Sequence, residues 1–195
     1  MNWFELPMPD LETERLTLRS YKATDAKELQ RLAGQWEVAD TTQRIPHPYP
    51  DGAAEEWIAK LPGNWKAGEQ AIWAITVTET GALLGSMGLT LAPAHRSAEL
   101  GYWITPSEWG KGYATEAAQA ALTFGMSTLG LWRVHAHYLV RNPASGAVLR
   151  KLGMTHEGTL RAGVWKWDRP EDLIVCSILA PEWRVQDSIG SAANE

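Results

Sequence analysis

The 195-residue sequence predicts a mixed α and β domain in which antiparallel strands precede two strand-to-helix transitions, one near residue 110 and one near 142. Three observations lead there. Short runs alternate apolar and polar residues, beginning with Arg15-Leu-Thr-Leu-Arg-Ser20. Two apolar-rich runs, Ala71 to Thr78 and Leu83 to Leu91, flank Glu79-Thr-Gly81, whose glycine tolerates a positive φ, as an antiparallel hairpin requires. Two later strand patterns lead through glycine or proline directly into segments of helical period.

Taken in order, Thr24-Asp25 precedes the periodic apolar residues of Ala26 to Leu32, which reads as a helix capped at its front. Three prolines forbid regular helix in Arg44-Ile-Pro-His-Pro-Tyr-Pro-Asp-Gly52, and Ala53 to Leu61 follows as a short helix bearing Trp57. Ala98 to Thr105 is a strand. Ala114, Ala117, Ala118, Ala121, Leu122 and Gly125 then recur at helical spacing, so that one helix face is small enough to press closely on a sheet. Arg133 to Val140 is a strand, Pro143 to Leu152 a helix with proline near its start, and Gly153 its stop. Strands around Met154 to Gly163 and Leu173 to Ala180 complete a single domain over 1–183. The polar tail 184–195 is expected to fray.

Composition narrows the partners. Lys plus Arg number 18 against 23 Asp plus Glu, a net charge of −5, which offers no electrostatic grip on nucleic acid or an anionic membrane. A basic partner or cationic substrate suits it better. The single Cys176 lies in the apolar run Leu173 to Leu179 and reads as buried and inert. No apolar stretch approaches the ~18 residues of a membrane span, and Met1-Asn-Trp-Phe-Glu-Leu lacks the basic-then-apolar order of a signal peptide, so a cytoplasmic location is expected.

The stretch from Glu99 to Ala117 runs from strand pattern through Trp109-Gly-Lys-Gly-Tyr-Ala114 into a helix. A helix start leaves about four backbone N–H groups unpaired and carries partial positive charge, so this layout cradles an anion. His135-Ala-His137 sets two imidazoles on one side of a strand, a spacing that suits a metal, but no third ligand stands at a suitable spacing, so no metal is expected.

These blocks resemble the GNAT superfamily of N-acetyltransferases, whose acetyl-CoA motif is matched by Trp109-Gly-Lys-Gly-Tyr-Ala114 from Gly112 onward. Within it, the chain is similar to the branch that acetylates ribosomal-protein N-termini. The resemblance runs through Leu11-Glu-Thr-Glu-Arg-Leu-Thr-Leu-Arg19, Leu100-Gly-Tyr-Trp-Ile104, Trp109 to Ala117, Asn142-Pro-Ala-Ser145 and Lys151-Leu-Gly153, in order, across about 11–183. It implies a central, mostly antiparallel twisted sheet flanked by helices, with the strands at 98 to 105 and 133 to 140 splayed around the pantetheine arm of acetyl-CoA. The pyrophosphate would rest on the N–H groups of Gly110, Lys111, Gly112, Tyr113 and Ala114, beside Trp109. Main-chain atoms of Tyr102, Trp103 and Ile104 would pair with the pantetheine amides. Asn142 would bond the same arm, and Ser145 would face the thioester. Lys111 either contacts a CoA phosphate or is a solvated turn residue.

The implied chemistry is direct attack by a neutral amine on a thioester, with no acetyl-enzyme, and it requires a proton acceptor. Alternation puts Glu99, Gly101 and Trp103 on one face, which makes Glu99 the candidate base, acting through water; its rival role is a surface ion pair with Arg96 or Arg133. A backbone N–H near Trp103 or Ile104 would meet the oxyanion. Relatives carry a tyrosine acid where Leu149 stands, leaving Ser145 as the nearest hydroxyl for the departing thiolate. Trp109 replaces the motif's Gln or Arg, Met154 stands where phenylalanine is usual, and Arg161 to Trp167 holds no acid.

The expected acceptor is a protein N-terminal α-amine or a small-molecule amine, in an acidic, aromatic-lined cleft written in Ile45 to Tyr49 and Trp165 to Trp167. Tryptophan content and the resemblance also suggest a homodimer. A non-catalytic acyl-CoA-binding sensor of the same fold is the alternative.

Overall fold

The computed structural model describes residues 3–183, and the tail at 184–195 lies outside the described residues. Its elements are β1 (Leu11–Glu12), β2 (Leu16–Arg19), α1 (Ala26–Ala33), α2 (Trp36–Thr41), α3 (Ala53–Lys66), β3 (Gln70–Val77), β4 (Leu83–Ala92), β5 (Ser97–Ile104), α4 (Tyr113–Thr123), β6 (Arg133–Leu139), α5 (Pro143–Lys151), β7 (Thr155–Lys166) and β8 (Arg169–Leu179). The strands form one sheet in the order β1-β2-β3-β4-β5-β6-β8-β7, and every neighbouring pair is antiparallel except β5 with β6.

Alternation along the strands separates two cores. Trp73, Ile75, Met87, Leu100 and Ile104 face the small side of α4, where Ala117, Ala118, Ala121 and Leu122 are fully buried. Gly125 continues that side: a methyl group there would meet Leu89 and Leu131 at 3.1 Å, so the close packing depends on small residues. The intervening residues Ala74 and Trp103 face the opposite way, toward Leu29, Ala33, Ala54 and Ile58 of α1 and α3.

Four local expectations need correction. Helix α2 was not foreseen, because its six residues carry no side-chain cap and too short a period. Helix α3 continues through Pro62 to Lys66 rather than ending at Leu61. A helix-interior proline costs about 3 kcal/mol, but the added turn buries Trp65, whose indole N–H donates to Leu6 O at 2.8 Å and whose ring meets Phe4 edge-on at 5.0 Å. Losing a buried tryptophan costs about 3–5 kcal/mol, so the tertiary contact wins. Strands β7 and β8 are longer than expected and meet at a turn through Trp167 and Asp168, with φ of 49° and 57°. Asp25 does not cap α1 with its side chain; it pairs with Arg19 at 2.7 Å and accepts the Lys22 N–H. Cys176 is buried, as expected.

Candidate active site

Strands β5 and β6 are paired only at Ser97↔Arg133, Ala98↔Val134 and Glu99↔His135. Beyond Glu99 they part, β5 following β4 and β6 following β8. A cleft of about 890 Å³ opens along the gap, lined by Glu99, Gly101, Tyr102, Trp103, Ile104, His137, Asn142 and Ser145, with Ile45, Pro46, Tyr49 and Trp57 as a further wall.

The backbone in this gap is more specific than the range Tyr102 to Ile104 suggested. The Thr105 N–H donates to Leu84 O at 2.8 Å. Backbone groups alternate sides along a strand, so those of Trp103 also turn to β4, while those of Tyr102 and Ile104 face the gap. The Ile104 carbonyl is already used: Trp109 Nε1 donates to it at 2.7 Å. Trp109 therefore ties the following loop to the end of β5 rather than supplying a charge.

That loop enters α4 with Gly110 and Gly112 at φ of 77° and 85°, a left-handed conformation that side chains disfavour. The first hydrogen bond of the helix runs from Glu116 N–H to Gly112 O at 3.1 Å, which leaves the amides of Gly112 to Thr115 ahead of the ladder. Lys111 pairs with Glu108 at 2.9 Å, half-exposed. The brace beneath the loop escaped sequence reasoning. Arg15 Nη1 donates to Lys111 O at 3.1 Å, its guanidinium lies 4.5 Å over the Tyr113 ring, and its Nε donates to Glu116 at 2.7 Å. Thr13 and the Arg15 N–H also donate to Glu116. These residues lie in the quoted block Leu11 to Arg19, which was the one available signal.

At the second transition, the Asn142 side-chain oxygen accepts the Ser145 N–H at 3.2 Å and caps α5. The Ser145 hydroxyl lies 2.9 Å from the Tyr102 hydroxyl. Burial pushes the Tyr102 phenol up to about 12, against a smaller opposing effect of that hydrogen bond, so it stays protonated at neutral pH. Leu149 is fully buried, in keeping with its lack of any acid role. Gly146 admits the Tyr138 ring, which a methyl group would meet at 2.7 Å.

Glu99 pairs with neither arginine. Arg96 donates to Gly130 O, and Arg133 is held by Glu157 and Ser177. Its carboxylate instead lies 3.4 Å from His137 Nδ1. Glu99 supplies the third donor group that spacing alone did not reveal: its donor atom and those of His135 and His137 all lie within 4.8 Å of one another. Burial is the main cause holding the His135 imidazole below its usual range, with His137 adding to it.

The acceptor expectations divide. Ile45 to Tyr49 borders the cleft, but Trp165 is 71% exposed on the outer hairpin, and neither it nor Trp167 lines the cleft. Trp167 stacks on Trp36 at 4.9 Å and donates to Asp40 at 2.8 Å, while Arg141 joins Asp40 to Glu171. Trp65 and Trp73 are core, and Trp57 and Trp103 face the cleft. The cleft is aromatic but not acidic: among the described residues its only carboxylates are Glu99 and the ion-paired Glu108.

A family model described as an acetyltransferase (GNAT) domain matches residues 15–155. The uncharacterized N-acetyltransferase YoaA of Bacillus subtilis is 32% identical over 183 residues, covering 89% of this chain and 98% of the relative. The [ribosomal protein uS5]-alanine N-acetyltransferase of Escherichia coli is 26% identical over 196 residues, covering 91% and 94%. The structure of Mycobacterium smegmatis RimJ in complex with CoA-disulfide shares the fold, with a TM-score of 0.78 at 24% identity over 89% of this chain and 87% of that one. Joined to a sheet opened at its one parallel pair and a glycine turn entering a helix, these likenesses settle the family: the chain belongs to the GNAT acetyltransferases and is an acyltransferase enzyme.

Proposed function

We propose that the chain transfers an acetyl group from acetyl-CoA to an amine carrying a single positive charge, the α-amine of a protein or peptide N-terminus. The observation that carries this reading is the charge inventory of the cleft. Among the described residues Glu99 is the one lining carboxylate without an arginine or lysine partner, and Arg44 and Lys151 add positive charge to walls of Ile45, Pro46, Tyr49, Trp57 and Trp103. A polyamine or aminoglycoside brings several cations and calls for several carboxylates. A peptide N-terminus brings one ammonium and an apolar flank, and its amine, with a pKa of about 7.7–8.0, is far easier to deprotonate than a lysine. The Escherichia coli uS5-alanine relative, named for such an acceptor, supports the same choice.

The cofactor side fits acetyl-CoA as co-substrate. The amides of Gly112 to Thr115 receive phosphate oxygens, with Gly110 and Lys111 completing the loop, and the backbone groups of Tyr102 extend the β5 edge toward the pantetheine. Asn142 orients that arm. Glu99 takes the ammonium proton, directly or through one water, so that the amine attacks as a neutral nucleophile. The Ile104 N–H, rather than that of Trp103, meets the developing oxyanion, a contribution of about 3 kcal/mol. The Ser145 and Tyr102 hydroxyls, which bond each other, offer a proton or hydrogen bond to the departing sulfur.

A thiol-release screen with acetyl-CoA across N-terminal peptides, polyamines, aminoglycosides and amino acids tests this. Turnover of free-N-terminus peptides, abolished by blocking the α-amine, is the expected outcome. Turnover confined to polyamines or aminoglycosides would overturn the acceptor assignment.

A further inference from the structure

Glu99, His135 and His137 make a constellation that acetyl transfer alone does not call for. Glu99 and His135 are register partners at the final paired step of β5 and β6, and His137 follows two residues later on the same side of its strand. All three are partly buried, and their donor atoms lie within 4.8 Å of one another. Glu99 and His137 both line the cleft, so the group sits at its apex, where the two strands part.

The arrangement has the features of a ligand set rather than a chance meeting of side chains. The nearby arginines are engaged elsewhere, Arg133 with Glu157 and Ser177 and Arg96 with Gly130 O, so no fixed cation neutralises the Glu99 carboxylate. Two imidazoles and one carboxylate are borderline donors suited to Zn²⁺. Tetrahedral bonds of about 2.1 Å set donor atoms about 3.4 Å apart, and Glu99 Oε1 and His137 Nδ1 already stand 3.4 Å apart. The His135 ring is edge-on to that of His137, with centroids 5.2 Å apart, and its donor atom lies within 4.8 Å of the other two.

We infer that Glu99, His135 and His137 bind Zn²⁺ and that the bound ion blocks acetyl transfer. Three protein ligands leave a fourth position for water, open to the cleft. Coordination occupies the carboxylate that would accept the amine proton, and the ion's charge repels an incoming ammonium. Inhibition is therefore competitive with the amine and not with acetyl-CoA. The inhibitory part rests on the proposed role of Glu99; the binding part does not.

The test uses the intact chain, stripped with chelator, titrated with Co²⁺ as a visible-absorption probe and with Zn²⁺ in competition with a chromophoric chelator. The expected result is one ion per chain with the intense absorption of tetrahedral Co²⁺. His135 does not line the cleft, so His135→Ala should keep metal-free transfer within about twofold while weakening Zn²⁺ binding at least tenfold, with an equal shift in the half-inhibiting Zn²⁺ concentration. His135→Asn, which keeps a polar group of similar size, serves if the alanine variant does not fold. Absence of one-to-one binding, or undiminished Zn²⁺ affinity in both variants, overturns the site. Zn²⁺ bound through these residues with undiminished transfer overturns the inhibition. If Glu99→Gln then also keeps full metal-free activity, it is the proposed role of Glu99 that has failed.

Discussion

Arg15 and Glu116, 101 residues apart in sequence, form an ion pair at 2.6 Å that ties the β1–β2 turn to the first turn of α4. Through it, Arg15 also reaches Lys111 O and the Tyr113 ring, so a residue outside the glycine loop holds that loop in shape. Arg15→Ala should raise KM for acetyl-CoA about five- to tenfold, the worth of about one charge-assisted hydrogen bond, with kcat within about twofold. Steady-state kinetics in acetyl-CoA check this; a collapse of kcat at unchanged KM would contradict it.

Glu99→Gln keeps the shape of the side chain and removes the proton acceptor. Transfer to a good peptide acceptor should fall about 10²- to 10⁴-fold, with acetyl-CoA affinity unchanged. Single-turnover thiol release alongside calorimetric acetyl-CoA binding separates the two effects.

Asn142 serves the helix as well as the cleft, since its side chain accepts the Ser145 N–H at 3.2 Å and donates to Thr41 O at 3.4 Å. Asn142→Ala should cost about 1 kcal/mol of stability, a fall of about 2–4 °C in Tm for a chain of this size, together with weaker acetyl-CoA binding. Asn142→Asp preserves the cap and should restore most of the Tm without restoring the affinity, because it loses the amide donor.

The Glu157 carboxyl is drawn down to about 2, chiefly by its hydrogen bonds to Arg133 and then by Ser177. A carboxyl whose folded pKa lies below its unfolded value, about 4.3, lends stability that is complete above that value and lost as pH falls toward 2. Its side chain is 37% exposed, so solvent screening limits the contribution to less than about 1 kcal/mol. Glu157→Gln should therefore be slightly less stable than the parent at pH 7 and equal to it near pH 2, as measured by urea unfolding across that range.

The β7–β8 turn puts both Trp167 and Asp168 at positive φ, the geometry of a two-residue hairpin turn that favours Asn-Gly or Asp-Gly. Asp168→Gly should stabilise the chain by about 0.5–1 kcal/mol, read as a rise in Tm, since it relieves a strained position. The same substitution at Trp167 should destabilise it, through loss of the Trp36 stack and the bond to Asp40.

The legible parts of the fold were those encoded locally. Alternation marked β2, the glycine turn at 79–81 marked the β3–β4 hairpin, and the small face from Ala114 to Gly125 announced how closely α4 would pack. What escaped depended on partners distant in sequence. Nothing near Pro62 says that Trp65 will be buried against the N-terminal segment, and nothing near Arg15 names Glu116. The pairing of Glu99 with His135 follows from the parallel alignment of β5 and β6, a register that a two-residue spacing such as His135-Ala-His137 cannot reveal. The acceptor side was the least legible: the resemblance implied Trp165 near the acceptor, yet it lies exposed on the outer hairpin.

Tyr102 and Trp103 are neighbours in the chain, but they point into different cores, the first toward Ser145 and the second toward α1 and α3. On the proposed function, the acetyl-CoA side and the amine side of the cleft lie on opposite sides of a single strand. The wall residues Ile45, Tyr49 and Trp57 pack on the second core, away from α4, whereas Thr41 and Trp65 of the same stretch are tied to Asn142 and to the first core. A designer who wishes to redirect this enzyme therefore has three side chains of the second core to vary before the glycine loop or the start of α5 is disturbed.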